Sequence, residues 1–114
     1  MLDGIYQVVY AGTAMEARGV FVLRQGAFTG VGQTGALYKG KYGPDPARGL
    51  FQFEGNVDFP PDTILVTGSR AGPNGLSMPF KGESAAPKPD ARFSISFGGR
   101  AVDLMMSYVG PIPG

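Results

Sequence analysis

The chain has 114 residues and a formal net charge of +1, a length that suits one domain (1–114) with a hydrophobic core and is too short for two. Its ten basic and nine acidic side chains are scattered singly, without the basic cluster that direct nucleic-acid binding requires. Histidine and cysteine are both absent, which excludes histidine-based triads, cysteine nucleophiles, disulfides and zinc sites built from these ligands.

Short runs in which every second residue is apolar follow one another along the chain, and glycine or proline closes most of them. This period of two is that of β-strands with one dry face and one wet face. In chain order the pattern predicts strands over 4–11, 17–24, 27–30, 36–42, 50–59, 63–68, 76–82, 91–97 and 100–109. In the run 63–68, Ile64 and Val66 are expected to point inward.

Glycine and proline also predict where strands end. Gln25-Gly26 predicts a tight hairpin turn, since glycine supplies the positive φ that such turns need. Segment 43–49 contains two prolines and is predicted to be a loop, because proline donates no backbone hydrogen bond and fixes φ. Pro79 predicts that its strand lies at an edge or a bulge.

Strands in neighbouring order with short connections predict an all-β fold. The expected architecture is a single antiparallel up-and-down β-barrel of about eight strands, similar to lipocalins and other calycins. Barrels of this size either fill with side chains or hold one small ligand, and the sequence leaves both possibilities open.

Aromatic side chains on the predicted inner faces form the candidate site for a small apolar ligand. Core packing explains the same residues, since aromatic side chains dominate protein cores. The candidate ligand-lining residues are Tyr6, Phe21, Tyr38, Phe51, Phe53, Phe93 and Tyr108.

The outer faces of the first, second and last strands are also apolar. If the barrel closes, these strands are neighbours and their outward residues merge into one patch, and such patches usually mark interfaces. We therefore predict a homodimer through this patch, with cover by a loop or the C-terminal tail as the alternative. The predicted interface residues are Ile5, Val9, Val20, Val22, Met105 and Val109.

Two glycine motifs resemble phosphate-binding sequences but lack the context that such sites need. Gly30 to Gly35 reads G-x-G-x-x-G, yet it leads into a strand and not into the N-terminus of a helix. Gly35 to Lys41 reads G-x-x-x-x-G-K, but Tyr42 follows where a magnesium-binding hydroxyl belongs. No catalytic residue, metal site or cofactor is predicted, and the chain is not expected to be an enzyme.

Several short segments resemble the GrlR-like family, whose members are lipocalin-like barrels that repress type III secretion genes. The resemblance covers about the first half of the chain. It rests on Asp3-Gly4-Ile5-Tyr6, the strand Gly19 to Leu23 with Gly26 after it, Gly30-Val31-Gly32, and Tyr38-x-Gly40.

The resemblance implies a cytoplasmic homodimer that acts by binding a transcriptional activator or another ligand. The family carries an acidic motif in the loop after its Tyr-x-Gly strand. Here Asp45 and Arg48 occupy that loop, so a partner loop is expected but the family's partner is not carried over. Met1 to Tyr6 lack the pattern of a signal peptide, and no segment approaches the ~20 apolar residues of a membrane helix. Both observations favour the cytoplasm.

Overall fold

The computed structural model describes residues 3–12, 15–84, 91–97 and 100–113. Within these residues the chain forms eight antiparallel strands that close into one barrel, which confirms the predicted fold class. In chain order the strands are β1 (Gly4–Ala11), β2 (Glu16–Arg24), β3 (Ala27–Gly32), β4 (Leu37–Asp45), β5 (Leu50–Phe59), β6 (Leu76–Ser84), β7 (Ala91–Phe97) and β8 (Arg100–Gly110). Each strand pairs with the next, and β8 pairs with β1.

The seam between β1 and β8 closes the barrel, and it makes the first and last strands neighbours, which the sequence left conditional on closure. Val9 lies opposite Met105 in this pairing. The register shifts near the start of β1 and leaves Val109 as an extra residue of β8. An extra residue of this kind is a β-bulge, and it increases the local twist of the strand.

Strand β4 is longer than the sequence predicts, because it includes Gly43, Pro44 and Asp45. The expectation that proline excludes strand structure here is wrong. Strand β3 pairs with β4 only as far as Lys41. Residues 42–45 of β4 therefore have no neighbouring strand on the β3 side, and Pro44 removes no backbone hydrogen bond between strands there. Pro79 fits the same rule, since β7 pairs with β6 only from Phe80 onward.

The predicted strand over 63–68 is wrong, because this segment belongs to a loop that caps one end of the barrel. Leu65 and Val66 are buried, whereas Ile64 is 44% exposed. Two bonds inside the loop form its turn, from the Gly68 N–H to the Leu65 carbonyl and from the Leu65 N–H to the Ser69 carbonyl. The apolar side chains of this segment are therefore buried at the end of the barrel, and the segment does not pair with another strand of it.

The turn between β2 and β3 has the predicted form. Gln25 has φ of 50° and Gly26 has φ of 82°, and positive φ at both central residues matches the twist of a tight hairpin. The N–H of Gln25 donates to both carboxylate oxygens of Asp3 at 3.1 Å, so the turn is tied to the segment that precedes β1.

A pair of glycines brings β4 and β5 unusually close together. Gly40 lies directly opposite Gly55, and both are inward positions of their strands. A Cβ on Gly40 would lie closer than 3.0 Å to the backbone of Glu54 and Gly55, and a Cβ on Gly55 would meet the backbone of Lys39 and Gly40 in the same way. Only glycine fits at either position without moving a strand.

Candidate functional site

The barrel interior contains the aromatic residues that the sequence predicts for a ligand site. Tyr6, Phe21, Tyr38, Phe51, Phe53 and Phe93 are buried, and Tyr108 is partly buried against them. Their alternation along the strands places them inside, so the predicted inward orientation is correct.

These inward side chains pack mainly on one another. Phe53 lies at the centre of the cluster, with ring centroids 4.7 Å from Phe93 and 5.1 Å from Phe28. Phe28 in turn stacks on Phe21 at 5.5 Å. Distances of 4.5–7 Å are those of direct aromatic contact, so these rings occupy the space that a ligand would need.

Phe28 is an interior residue that the sequence analysis missed. It lies opposite Gly40, while Phe80 lies opposite Gly55 on the other side of the glycine pair. Their ring centroids are 5.8 Å apart. The two rings thus meet across the glycine pair and fill the space left by the missing side chains. Alternation with Gly30 and Gly32 in β3 is the signal that could have placed Phe28 inside.

A void of about 10 Å³ remains under the capping loop, next to Tyr10 and Tyr38. That volume matches about one water molecule. Burial raises the pKa of both tyrosines, and the hydroxyl of Tyr38 interacts with that of Tyr10. Each hydroxyl therefore has the other as a polar neighbour beside the void.

Apolar side chains recur on the outside of β8, β1, β2, β3 and the start of β4, with polar ones between them such as Gln7 opposite Val20 and Arg18 opposite Val9. We call this surface the apolar face. It consists of Ile5, Val9, Val20, Val22, Val31, Leu37, Met105 and Val109. The six residues predicted from the sequence all belong to it, and Ile5 lies opposite Val22 in the sheet.

Three side chains on neighbouring strands form a continuous row within the apolar face. Val20 lies opposite Val31, and Val31 lies opposite Leu37. Their exposed fractions are 48%, 53% and 42%, so the rest of the described chain does not cover the row. Val31 and Leu37 were not predicted to belong to this surface. The third strand was expected to end at Gly30, and Leu37 was not assigned to the outer face of its strand.

No protein-family model matches the chain, and none of the curated proteins searched is similar to it. The part of the chain that the structure describes contains no helix long and apolar enough to cross a membrane. Those same residues contain no group of three or more acidic side chains that could hold a metal ion.

The predicted partner loop is held by an ion pair within the chain. The guanidinium of Arg48 donates to both carboxylate oxygens of Glu83 on β6, at 2.6 and 3.0 Å, and lies 3.9 Å from the carboxylate of Asp45. The hydrogen bonds from Arg48 lower the pKa of Glu83. The structure thus brings Asp45 and Arg48 together but directs the arginine toward the barrel, a contact that the sequence could not reveal.

Asp3 links three segments at the end of the barrel opposite the capping loop. The Tyr42 hydroxyl donates to its carboxylate at 2.8 Å. This bond is the main reason that the pKa of Asp3 is lowered, and the bond from Gln25 adds to it. Burial, followed by the bond to Asp3, raises the pKa of Tyr42 to about 12.

The Asp3 contacts predict a stability difference in acid. A carboxylate with a lowered pKa contributes stability above its unfolded pKa of about 3.9, and that contribution is lost as the pH falls through the folded value. Asp3→Asn should therefore show a smaller decrease in Tm than the wild type between about pH 5 and pH 2. Asp103→Asn on β8 is the charge-matched control, and an equal decrease in wild type and Asp3→Asn would contradict the prediction.

Proposed function

We propose that this chain is a non-enzymatic, cytoplasmic binding protein that resembles the GrlR-like regulators and acts through the outside of its barrel. The observation that carries the proposal is the exposed row of Val20, Val31 and Leu37 within the apolar face. A contiguous exposed apolar patch is costly in water and is typical of a surface that another protein covers.

The occupant that we propose for the apolar face is a second copy of the chain. A two-fold interface uses the same patch on both subunits, and an apolar surface is complementary to itself without any matching of charges. A protein–protein interface of standard size buries about 800 Å² of accessible surface on each partner. That is about an eighth of the accessible surface of 6349 Å², an area that the outer faces of these five neighbouring strands can supply.

The packed interior supports partner binding over the alternative of a small-ligand carrier. Carriers of the barrel type need a cavity of about 300 Å³ or more for a drug-sized ligand. The void beside Tyr10 and Tyr38 is about 10 Å³, and the rings that surround Phe53 are in direct contact.

Lysine on the apolar face tests the proposed dimer. Val20→Lys combined with Met105→Lys should give a folded monomer, because two charges would be buried without partners in the interface. Sedimentation velocity measures the mass, and circular dichroism confirms the fold. Ser94→Lys combined with Ser96→Lys adds the same charge on exposed positions of β7 and should leave the dimer intact. A wild type that is monomeric, or a lysine variant that stays dimeric, would contradict the proposal.

A further inference from the structure

An exposed turn at the base of the capping loop contains Asn74-Gly75, the one Asn-Gly pair of the sequence. The turn consists of residues 72–75, and the N–H of Gly75 donates to the carbonyl of Gly72 at 3.0 Å. Pro73 and Gly75 occupy the second and fourth positions, which suit these residues in a type I turn. The side-chain amide of Asn74 therefore lies on the surface, next to a backbone nitrogen whose residue carries no Cβ to shield it.

This pair of groups can react with each other without any enzyme, because attachment to adjacent residues removes the entropic cost of encounter. The Gly75 nitrogen loses its proton to hydroxide and forms a bond to Cγ of Asn74, and the side-chain nitrogen leaves as ammonia. The product is a cyclic succinimide, which water then opens. Addition of water at Cγ gives aspartate, whereas addition at the main-chain carbonyl gives isoaspartate, in which the main chain runs through Cβ and Cγ.

The other asparagine of the sequence, Asn56, is poorly placed for the same reaction. It lies inside β5 and pairs with Lys39 on one side and with Pro79 on the other. The residue after it is Val57, whose branched side chain crowds the nitrogen that would attack. Strand β5 opens only at a large cost in free energy, whereas an exposed turn closed by one backbone bond opens readily.

The turn also fixes the capping loop, residues 60–75, to the start of β6. The carbonyl of Gly72 accepts from the N–H of Asp62 at 3.1 Å as well as from that of Gly75. Further along the loop, the N–H of Ala71 donates to the carbonyl of Thr63 at 2.8 Å. The two arms of the loop are thus bonded to each other, and the turn connects this unit to the barrel.

Isoaspartate at position 74 does not fit this turn, because it lengthens the main chain by one carbon atom. Gly75 has no room to accept the extra length, since even a Cβ there would lie 2.6 Å from the carbonyl oxygen of Phe59. The lengthened chain must bulge into solvent and break the bond between Gly75 and Gly72. Aspartate adds the same charge but keeps the chain length, so it leaves the turn intact.

We propose that Asn74 is a site of spontaneous modification and that its conversion to isoaspartate loosens the capping loop from the barrel. The loop is docked by the buried side chains of Leu65 and Val66 and by the bond from the Met15 N–H to the Val66 carbonyl at 3.3 Å. When the turn no longer holds one arm, the docked loop separates from the barrel end more often. This inference does not depend on the proposed function.

Peptide mapping by mass spectrometry tests the reaction, after incubation of the full chain over days at mildly alkaline pH. Fragmentation by electron transfer distinguishes isoaspartate from aspartate. Deamidation at Asn74 should be faster than at Asn56 by on the order of tenfold or more. Urea should raise the rate at Asn56 far more than at Asn74, because only Asn56 is protected by the barrel. Asn74→Gln should abolish the fast reaction, since its longer side chain would have to close a larger ring.

Hydrogen exchange tests the effect on the loop, in the isoaspartate form isolated by chromatography from the aged sample. The amide of Met15 should exchange faster than in the unmodified chain by on the order of tenfold. The amide of Gln25, which is bonded to Asp3 at the other end of the barrel, should keep its rate. Asn74→Asp is the matched control for charge, and its Met15 amide should exchange as in the unmodified chain.

Three results would overturn the inference. The first is equal deamidation at Asn74 and Asn56 in the folded chain, or none at Asn74. The second is an unchanged exchange rate of the Met15 amide in the isoaspartate form. The third is equally fast exchange of Met15 in Asn74→Asp, which would show that the added charge and not the longer main chain loosens the loop.

Discussion

Phe53→Ala should lower the free energy of unfolding by about 3–5 kcal/mol, the range found when a buried phenylalanine is truncated in a packed core. Besides Phe28 and Phe93, the Phe53 ring contacts Tyr42 at 5.5 Å and Phe51 at 6.1 Å between centroids. Its removal would leave a cavity that rings locked by neighbouring strands could fill only in part.

Urea unfolding followed by circular dichroism measures the loss, and Phe53→Leu is the matched control. Leucine keeps most of the apolar volume, so its cost should be clearly smaller. If Phe53 instead lined an open ligand cavity, truncation would remove few contacts. A loss below about 1 kcal/mol for Phe53→Ala would therefore contradict a packed interior.

Gly40→Ala and Gly55→Ala should each lower the free energy of unfolding by about 1–3 kcal/mol, because a single methyl group forces β4 and β5 apart. The backbone atoms that a Cβ would meet belong to the ladder between these strands. The strands cannot move without loss of hydrogen bonds or disturbance of the rings of Phe28 and Phe80 beneath them.

Gly43→Ala is the control for the glycine pair, since it lies in the same strand and a Cβ there meets nothing within 4 Å. It should leave the stability within about 1 kcal/mol of the wild type or raise it slightly. Equal effects at Gly40 and Gly43 would show that strand propensity and not close approach sets the cost.

The barrel could be predicted from the sequence because alternation and turn residues act locally. Leu50 to Phe59 alternates strongly enough to give both strand ends correctly, and Gln25-Gly26 has the backbone conformation that its residues favour. The prediction from sequence fails where tertiary contacts determine the conformation of a segment. The run 63–68 has the composition of a strand, but Pro60 and Pro61 precede it, and Leu65 and Val66 become buried at the open end of the barrel.

The candidate surfaces could be predicted only in part. Alternation places Val20 and Met105 outside, whereas the alignment of Val20, Val31 and Leu37 depends on the register of three strands. The ion pair of Arg48 with Glu83 and the close approach of Gly40 and Gly55 also depend on register between separate segments. A single sequence does not specify these pairings, because register follows from packing and turn geometry together.

Native mass spectrometry of the protein purified gently from its own host tests the central claim most directly, which is that the chain acts through the outside of a filled barrel. The account predicts a dimer whose subunits carry no small molecule, and it predicts that Val20→Lys with Met105→Lys converts this dimer to a monomer. A monomeric wild type, or subunits that retain a small apolar molecule, would contradict it.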